Sequence, residues 1–332
     1  MTEQFTIRDF TRNHGQYIAG FAAQSREVSG QLDVTPIFET ESHLSFRLEF
    51  PTHPVVVDAW NPHHPKGKQA FSRELTCHTL IKGSGLAAQM LGHSAQKHLL
   101  ITESIKGAPL NTALTQRNIT NISRSLGNWL HQFHLKMPQK DVDTTWFNYL
   151  KNYPDLFKSE EYEREKAFLQ SLKIETLAIA KNDRIHGLVL TETNSICAAN
   201  FQHASYKPVG WDLLLAVRDL IEKFPGQTDP IIAELLLGWG ELPGLAPADF
   251  MRLAKLFTVA TVFRKFSPAA PLLSRYAQAF NASRDPSQKK VTTVLSVPFK
   301  TNRQEDIPPK TLKNCANICR RPRATPSCLL KN

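Results

Sequence analysis

From His43 to Phe50 the chain alternates polar and apolar residues with period two (HLSFRLEF). After the turn PTHP a β-branched run, VVVDAW, fills Val55 to Trp60. Two such runs joined by so short a turn predict a strand pair, the second strand more buried than the first. One further short strand is predicted from His98 to Ile105, and thereafter apolar residues recur at helical spacing. Helices are predicted over about 8–28, over Gln69–Lys82 where Gly83 stops the run, and over Arg117–Lys136 with Ile122, Leu126, Leu130 and Phe133 on one face. Charged helical segments follow from about Asp143 to Lys173, then helices at about 211–223, 228–239, 247–265 and 270–281. Strands first and helices after predict an α+β chain in two lobes. The boundaries fall at 1–105 for a β-rich N-lobe, 106–285 for a larger helical C-lobe, and 286–332 for a basic, mostly disordered tail.

The formal charge of +10 is concentrated at the end of the chain. Beyond residue 288 ten Lys and Arg face only Glu305 and Asp306, so +8 belongs to that segment and +2 to the rest. Nucleic acid or an acidic partner is therefore an expectation for the tail alone, with steep salt dependence. The first residues lack the basic and apolar regions of a secretory signal, and no apolar run approaches a membrane span; a cytoplasmic protein with no membrane partner is expected. Five thinly spread cysteines, Cys77, Cys197, Cys315, Cys319 and Cys328, lack a zinc-site spacing, so reduced thiols and no metal site are expected.

The chemistry-bearing stretch is Ile185–Leu215, IHGLVLTETNSICAANFQHASYKPVGWDLLL. A His-Gly pair opens it, Asn194 follows, then Asn200-Phe201-Gln202, and Trp211-Asp212 begins an apolar helix. Together with VVVDAW, FSRELTCHTLIKGSGLAAQML, LLITESIKGAPL and SLGNWLHQFH, in this order, the stretch resembles the aminoglycoside phosphotransferase and choline-kinase-like family. The resemblance covers roughly residues 30–285. It implies a bilobal protein-kinase-like fold, and ATP and Mg²⁺ as cofactors of any member that is active.

Phosphoryl transfer needs a cation on the phosphates, metal ligands, a base for the acceptor hydroxyl and a loop over the phosphates. The resemblance places the cation on VVVDAW, at Asp58, an acid; Lys66 and Lys68 of the next loop are the substitutes at hand. The helix partner of that cation falls on Glu74, which without it is expected to face Arg73, His78 or solvent. The base falls two residues after His186, on Leu188, which cannot take a proton and is expected to pack under the loop. Asp183 and Glu192 flank it as loop acids. The metal ligands fall on Thr193 or Asn194 and on Asn200, neutral groups that suit Mg²⁺ poorly. Glu103 and Ile105 fall in the hinge that would meet a nucleotide base. His186 is expected to pack, and Asp212 to tie the catalytic loop to its helix. The phosphate-covering segment ETESHLSF (Glu39–Phe46) has no glycine to let amides approach phosphate. The packing positions Gly187, Phe201, Pro208, Trp211 and Asp212 persist while the chemical ones depart. The expectation is a pseudokinase that keeps its cleft for a small molecule or a protein. The alternatives are an active small-molecule phosphotransferase using Asp183, Glu192, Asn194 and a loop lysine, and binding through the basic tail.

Overall fold

The computed structural model describes residues 5–23, 32–50, 54–151, 160–242, 244–262 and 293–295, all within a unit that spans Met1–Pro298. Helix α1 (Ile7–Ala23) precedes strands β1 (Leu32–Glu39), β2 (His43–Glu49) and β3 (Val55–Trp60), helix α2 (Gly67–Leu80), and strands β4 (Met90–Ser94) and β5 (Leu99–Glu103). The strands form one antiparallel sheet ordered β1-β2-β3-β5-β4, which β12 (Thr293–Leu295) extends by pairing with β1. The sheet is two-sided. On one face α1 packs on the buried residues of β2, Phe10 meeting Phe46 edge-on. On the other, α2 lays Phe71 against Trp60 and Leu100. Period-two alternation explains this, because Asp58 and Trp60 share the α2 side while Val57 and Ala59 point away.

The later part is mainly helical: α3 (Leu110–Ala113), α4 (Ile119–Lys136), α5 (Trp146–Leu150), α6 (Glu160–Ser171), α7 (Trp211–Lys223), α8 (Thr228–Trp239) and α9 (Pro247–Val262). Two small sheets interrupt it. One runs β6 (Gly107–Pro109), β9 (Leu188–Thr191), β10 (Ile196–Ala198), and the other β7 (Gln139–Thr145), β8 (Lys173–Ala180), β11 (Ser205–Pro208). The apolar faces of α4, α7, α8 and α9 meet in one large core with Leu126, Leu130, Leu213, Val217, Ile231, Leu235 and Leu253 at its centre. Helices α4 and α8 touch backbone to backbone. A β carbon on Gly127 would stand 2.1 Å from the Leu235 carbonyl oxygen, and one on Gly238 2.0 Å from that of Arg124. Only hydrogen fits at either crossing point.

The architecture is α+β, with a β-rich N-terminal part and a helical later part. One expectation requires correction. The span 143–173 is not helical throughout, since β7 begins before it and β8 at its end. Of the segment from 286, Thr293–Leu295 pair with Leu32–Val34; the rest of that segment, the helix expected over 270–281 and residues 24–28 of the first helix lie outside the described residues. Among the described residues no helix is long and apolar enough to cross a membrane.

Candidate functional site

Helix α7 organises the site. Its first turn carries Asp212, and two turns later the same face carries Asp219. The Asp212 carboxylate accepts the backbone N–H of Lys181 at 2.7 Å and that of Asn182 at 2.8 Å. Asp219 accepts the N–H of Ile185 at 3.0 Å and the Nε–H of Arg184 at 3.0 Å. Two carboxylates of one helix therefore clamp the loop from Lys181 to Gly187. Asn182 completes the clamp: its amide donates to the His203 carbonyl at 3.1 Å, and its Oδ1 accepts the Trp211 indole N–H at 2.9 Å. It holds φ +53, a left-handed conformation that Asn tolerates better than most side chains.

This clamp moves the loop relative to the sequence expectation. Asp212 does tie a loop to its helix, but that loop starts at Lys181. Lys181, Asn182 and Asp183 open the segment that Asp212 holds, five residues before the His186-Gly187 pair. The acid two residues into the loop is Asp183, and Leu188 is the first residue of β9, 2% exposed and part of the core. His186 sits in a single 3-10 turn, Ile185–Gly187, half-buried, with burial holding its pKa below the ordinary histidine range.

The structure places Asn194 away from that loop. β9 and β10 pair as a tight hairpin, Leu188 opposite Ala198. Asn194, Thr193 and Glu192 are exposed in its turn, at the far end of β9 from Gly187, Asn194 with φ +59. Asn200 follows β10 and returns to the loop.

Inside the loop, Lys181 is 2% exposed, and its ammonium lies 3.3 Å from Asp183 Oδ2 and 3.4 Å from the Arg184 carbonyl. Burial would raise the Asp183 pKa, but Lys181, His203 and hydrogen bonds from Arg184 N–H and Lys181 together hold it below the ordinary carboxylate range. Asp212 goes the other way. Burial pushes it up to about 6 despite its two N–H partners.

Asp212 therefore carries a pH signature. A folded-state pKa above the unfolded value means that its contribution is fully present below about pH 4 and is lost as pH rises through about 6. Asp212→Asn removes that titration. Relative to the variant, the wild type is expected to lose up to ~1.4 kcal/mol of stability per pH unit between those limits, read from denaturant midpoints against pH. Equal slopes for both proteins contradict it.

The N-terminal part meets this loop through α2. Of the partners expected for Glu74, His78 is the one it meets, and the carboxylate is buried rather than facing solvent, 2% exposed. Its Oε2 accepts the Phe201 N–H at 2.6 Å and its Oε1 lies 3.2 Å from His78 Nε2. Lacking a lysine partner, the carboxylate is satisfied by the segment that carries Asn200. Asp58 stands on the α2 side of β3, 8% exposed, 3.0 Å from His43 Nε2. His43 in turn stacks on Trp60 at 4.7 Å. Lys66 and Lys68 are exposed at the start of α2. Glu103 and Ile105 line a cavity of about 740 Å³ with Pro54, Met90, Lys106 and Cys197. The Cys77 and Cys197 thiols are unpaired, and burial pushes each up to about 12, which makes them poor nucleophiles.

Sequence reading missed Lys181, Arg184, Asp219 and His43. The signal for Lys181 was a charged residue directly after the apolar strand IETLAIA. Magnesium does not fit what the loop offers. Asn200 is neutral, Thr193 and Asn194 are exposed in the hairpin turn away from it, and the loop's own carboxylate, Asp183, lies 3.3 Å from the Lys181 ammonium. Among the described residues no group of three or more His, Cys, Asp or Glu could hold a metal ion.

No protein-family model matches the chain, and no curated protein matches it in sequence. Solved structures do match. Choline kinase from Cryptosporidium parvum Iowa II is 14% identical over 81% of this chain and 95% of that one, with a TM-score of 0.51. Choline kinase LicA from Streptococcus pneumoniae is 12% identical over 81% and 98%, with a TM-score of 0.48. Macrolide 2'-phosphotransferase MphH from Brachybacterium faecium is 13% identical over 83% and 99%, with a TM-score of 0.47. At these identities the likeness is one of fold: the chain has the protein-kinase-like fold of small-molecule kinases.

Proposed function

We propose that this chain is a pseudokinase: a protein of small-molecule-kinase fold that holds a flat ligand in the cavity beside Glu103 and Ile105 and transfers no phosphoryl group. The observation that carries this is Asp58. The strand position that must present a cation to the phosphates presents a carboxylate, and His43 engages it at 3.0 Å. An acid there repels phosphate, and the glycine-free segment Glu39–Phe46 adds no amide cradle. The neutral Asn200 supports the same conclusion on the metal side. What remains favourable is the mainly apolar lining of the cavity, with Ile81, Ala87, Met90 and Ile105, which suits a heteroaromatic ring.

An active alcohol phosphotransferase is favoured by one observation. Asp183 is an ionised acid two residues into the clamped loop, the place for a base that orients a hydroxyl. Its carboxylate is turned to Lys181, which leaves it a weak acceptor for a substrate proton.

The test is a comparison of adenosine with ATP by calorimetry, with and without Mg²⁺, alongside transfer of labelled γ-phosphate to choline, ethanolamine and an aminoglycoside. The expected result is that ATP binds no better than adenosine, Mg²⁺ changes nothing and no acceptor is labelled. ATP·Mg²⁺ bound tenfold or more tightly than adenosine, or a labelled acceptor, contradicts the pseudokinase and supports the enzyme.

A further inference from the structure

Lys181 has no role in the expected chemistry, yet it is among the largest fully buried side chains of the protein. Its ammonium is fixed by Asp183 Oδ2 at 3.3 Å and the Arg184 carbonyl at 3.4 Å. Gly187 shows how crowded that point is. A β carbon there would lie 2.8 Å from Lys181 Nζ and 3.3 Å from both Nδ2 and Oδ1 of Asn200. The glycine leaves the room that the ammonium fills. Asn200 Oδ1 is buried and has no hydrogen-bond partner among the described residues, and Leu188 closes the loop beyond it.

We propose that the Lys181 ammonium, held by Asp183 and the Arg184 carbonyl beside the point where Gly187 meets Asn200, is a built-in cation that serves this loop in place of a divalent ion, so that the loop keeps its shape without metal. The charges support the exchange. One ammonium balances one carboxylate locally, whereas a divalent ion would need more acids than the loop supplies and would be repelled by Lys181 at short range. Arg184 is engaged elsewhere, by Asp219 and Glu222, and does not compete for Asp183 Oδ2. The inference rests on the same loop register as the proposed function, and it fails separately. A wild type that binds no metal yet turns over ATP would contradict the pseudokinase and leave Lys181 in its place.

The experiment uses three forms of the full chain: wild type, Asn200→Asp, and Asn200→Asp combined with Lys181→Gln. Mn²⁺ is the probe, followed by electron paramagnetic resonance, with circular dichroism to confirm folding. Wild type and Asn200→Asp are expected to leave millimolar Mn²⁺ free, and the double variant to bind one ion per chain. Mn²⁺ bound by either of the first two, or a folded double variant that binds none, overturns the proposal. Should the double variant not fold, Asn200→Asp decides alone. Its thermal midpoint is expected to rise without metal, because Lys181 gains a second carboxylate, and an unchanged or lower midpoint overturns the proposal.

Discussion

Gly238→Ala is expected to lower the thermal midpoint by about 10 °C, from a loss of about 3–5 kcal/mol. The added carbon would stand 2.0 Å from the Arg124 carbonyl oxygen and 2.9 Å from the Asn128 nitrogen. These are backbone atoms of α4, so no rotamer change relieves the contact and the two helices must separate. Separation opens the core where Leu126 and Leu130 meet Ile231 and Leu235, all of them buried. Gly127→Ala attacks the same crossing from the other helix, 2.1 Å from the Leu235 oxygen, and is expected to act alike. Gly20→Ala is the control. It lies on α1 with nothing within 4 Å of the new carbon, and a helical Gly→Ala change there is expected to stabilise by about 0.5–1 kcal/mol. Midpoints from thermal unfolding by circular dichroism separate the cases. Similar values for Gly20→Ala and Gly238→Ala would show that α4 and α8 do not cross at these glycines.

Lys181→Met is expected to cost about 2–4 kcal/mol at neutral pH, through the charge it strands. The methionine fills most of the volume but leaves Asp183 with the Arg184 N–H as its one remaining short partner in the loop. Asp183 is a depressed acid, so its contribution is present above its unfolded pKa and lost as pH falls through the folded value. The gap between wild type and variant should therefore be full at pH 7 and close below about pH 4. Urea midpoints across that range provide the measurement. A gap that stays constant with pH would mean that Lys181 contributes packing alone, without pairing to Asp183.

Much of the fold was legible because its strongest elements obey one periodicity each. Helices α7 and α8 fall where the apolar spacing of WDLLLAVRDLIEK and TDPIIAELLLGW places them, and β3 is VVVDAW itself. The misses have local causes. β1 contains Pro36, and a register shift between Pro36 and Phe38 breaks its alternation. β7 reads QKDVDTT, an edge strand with no buried residue and hence no apolar signal. The site was half legible. Asp212 was identified as the loop's anchor from its place at the helix start. Which residues it anchors was not, because the His-Gly pair drew attention to Ile185–Gly187 while the N–H groups it binds are those of Lys181 and Asn182. The features that decide between them, a left-handed Asn182 and a lysine that folds back under its own loop, are three-dimensional. Glu74 and His43 were likewise hidden, since their partners, Phe201 N–H and Asp58, are brought to them only by folding.

The central claim is that Asp183 is the loop's acid and Lys181 its fixed counter-ion. It is tested most directly by following the Asp183 side-chain carboxyl carbon by nuclear magnetic resonance through an acid titration, with and without Mg²⁺. The expected curve has its midpoint below the ordinary aspartate range, does not move when Mg²⁺ is added, and shifts upward in Lys181→Met. A midpoint at or above the ordinary range, or one that Mg²⁺ displaces in the wild type, would contradict the account.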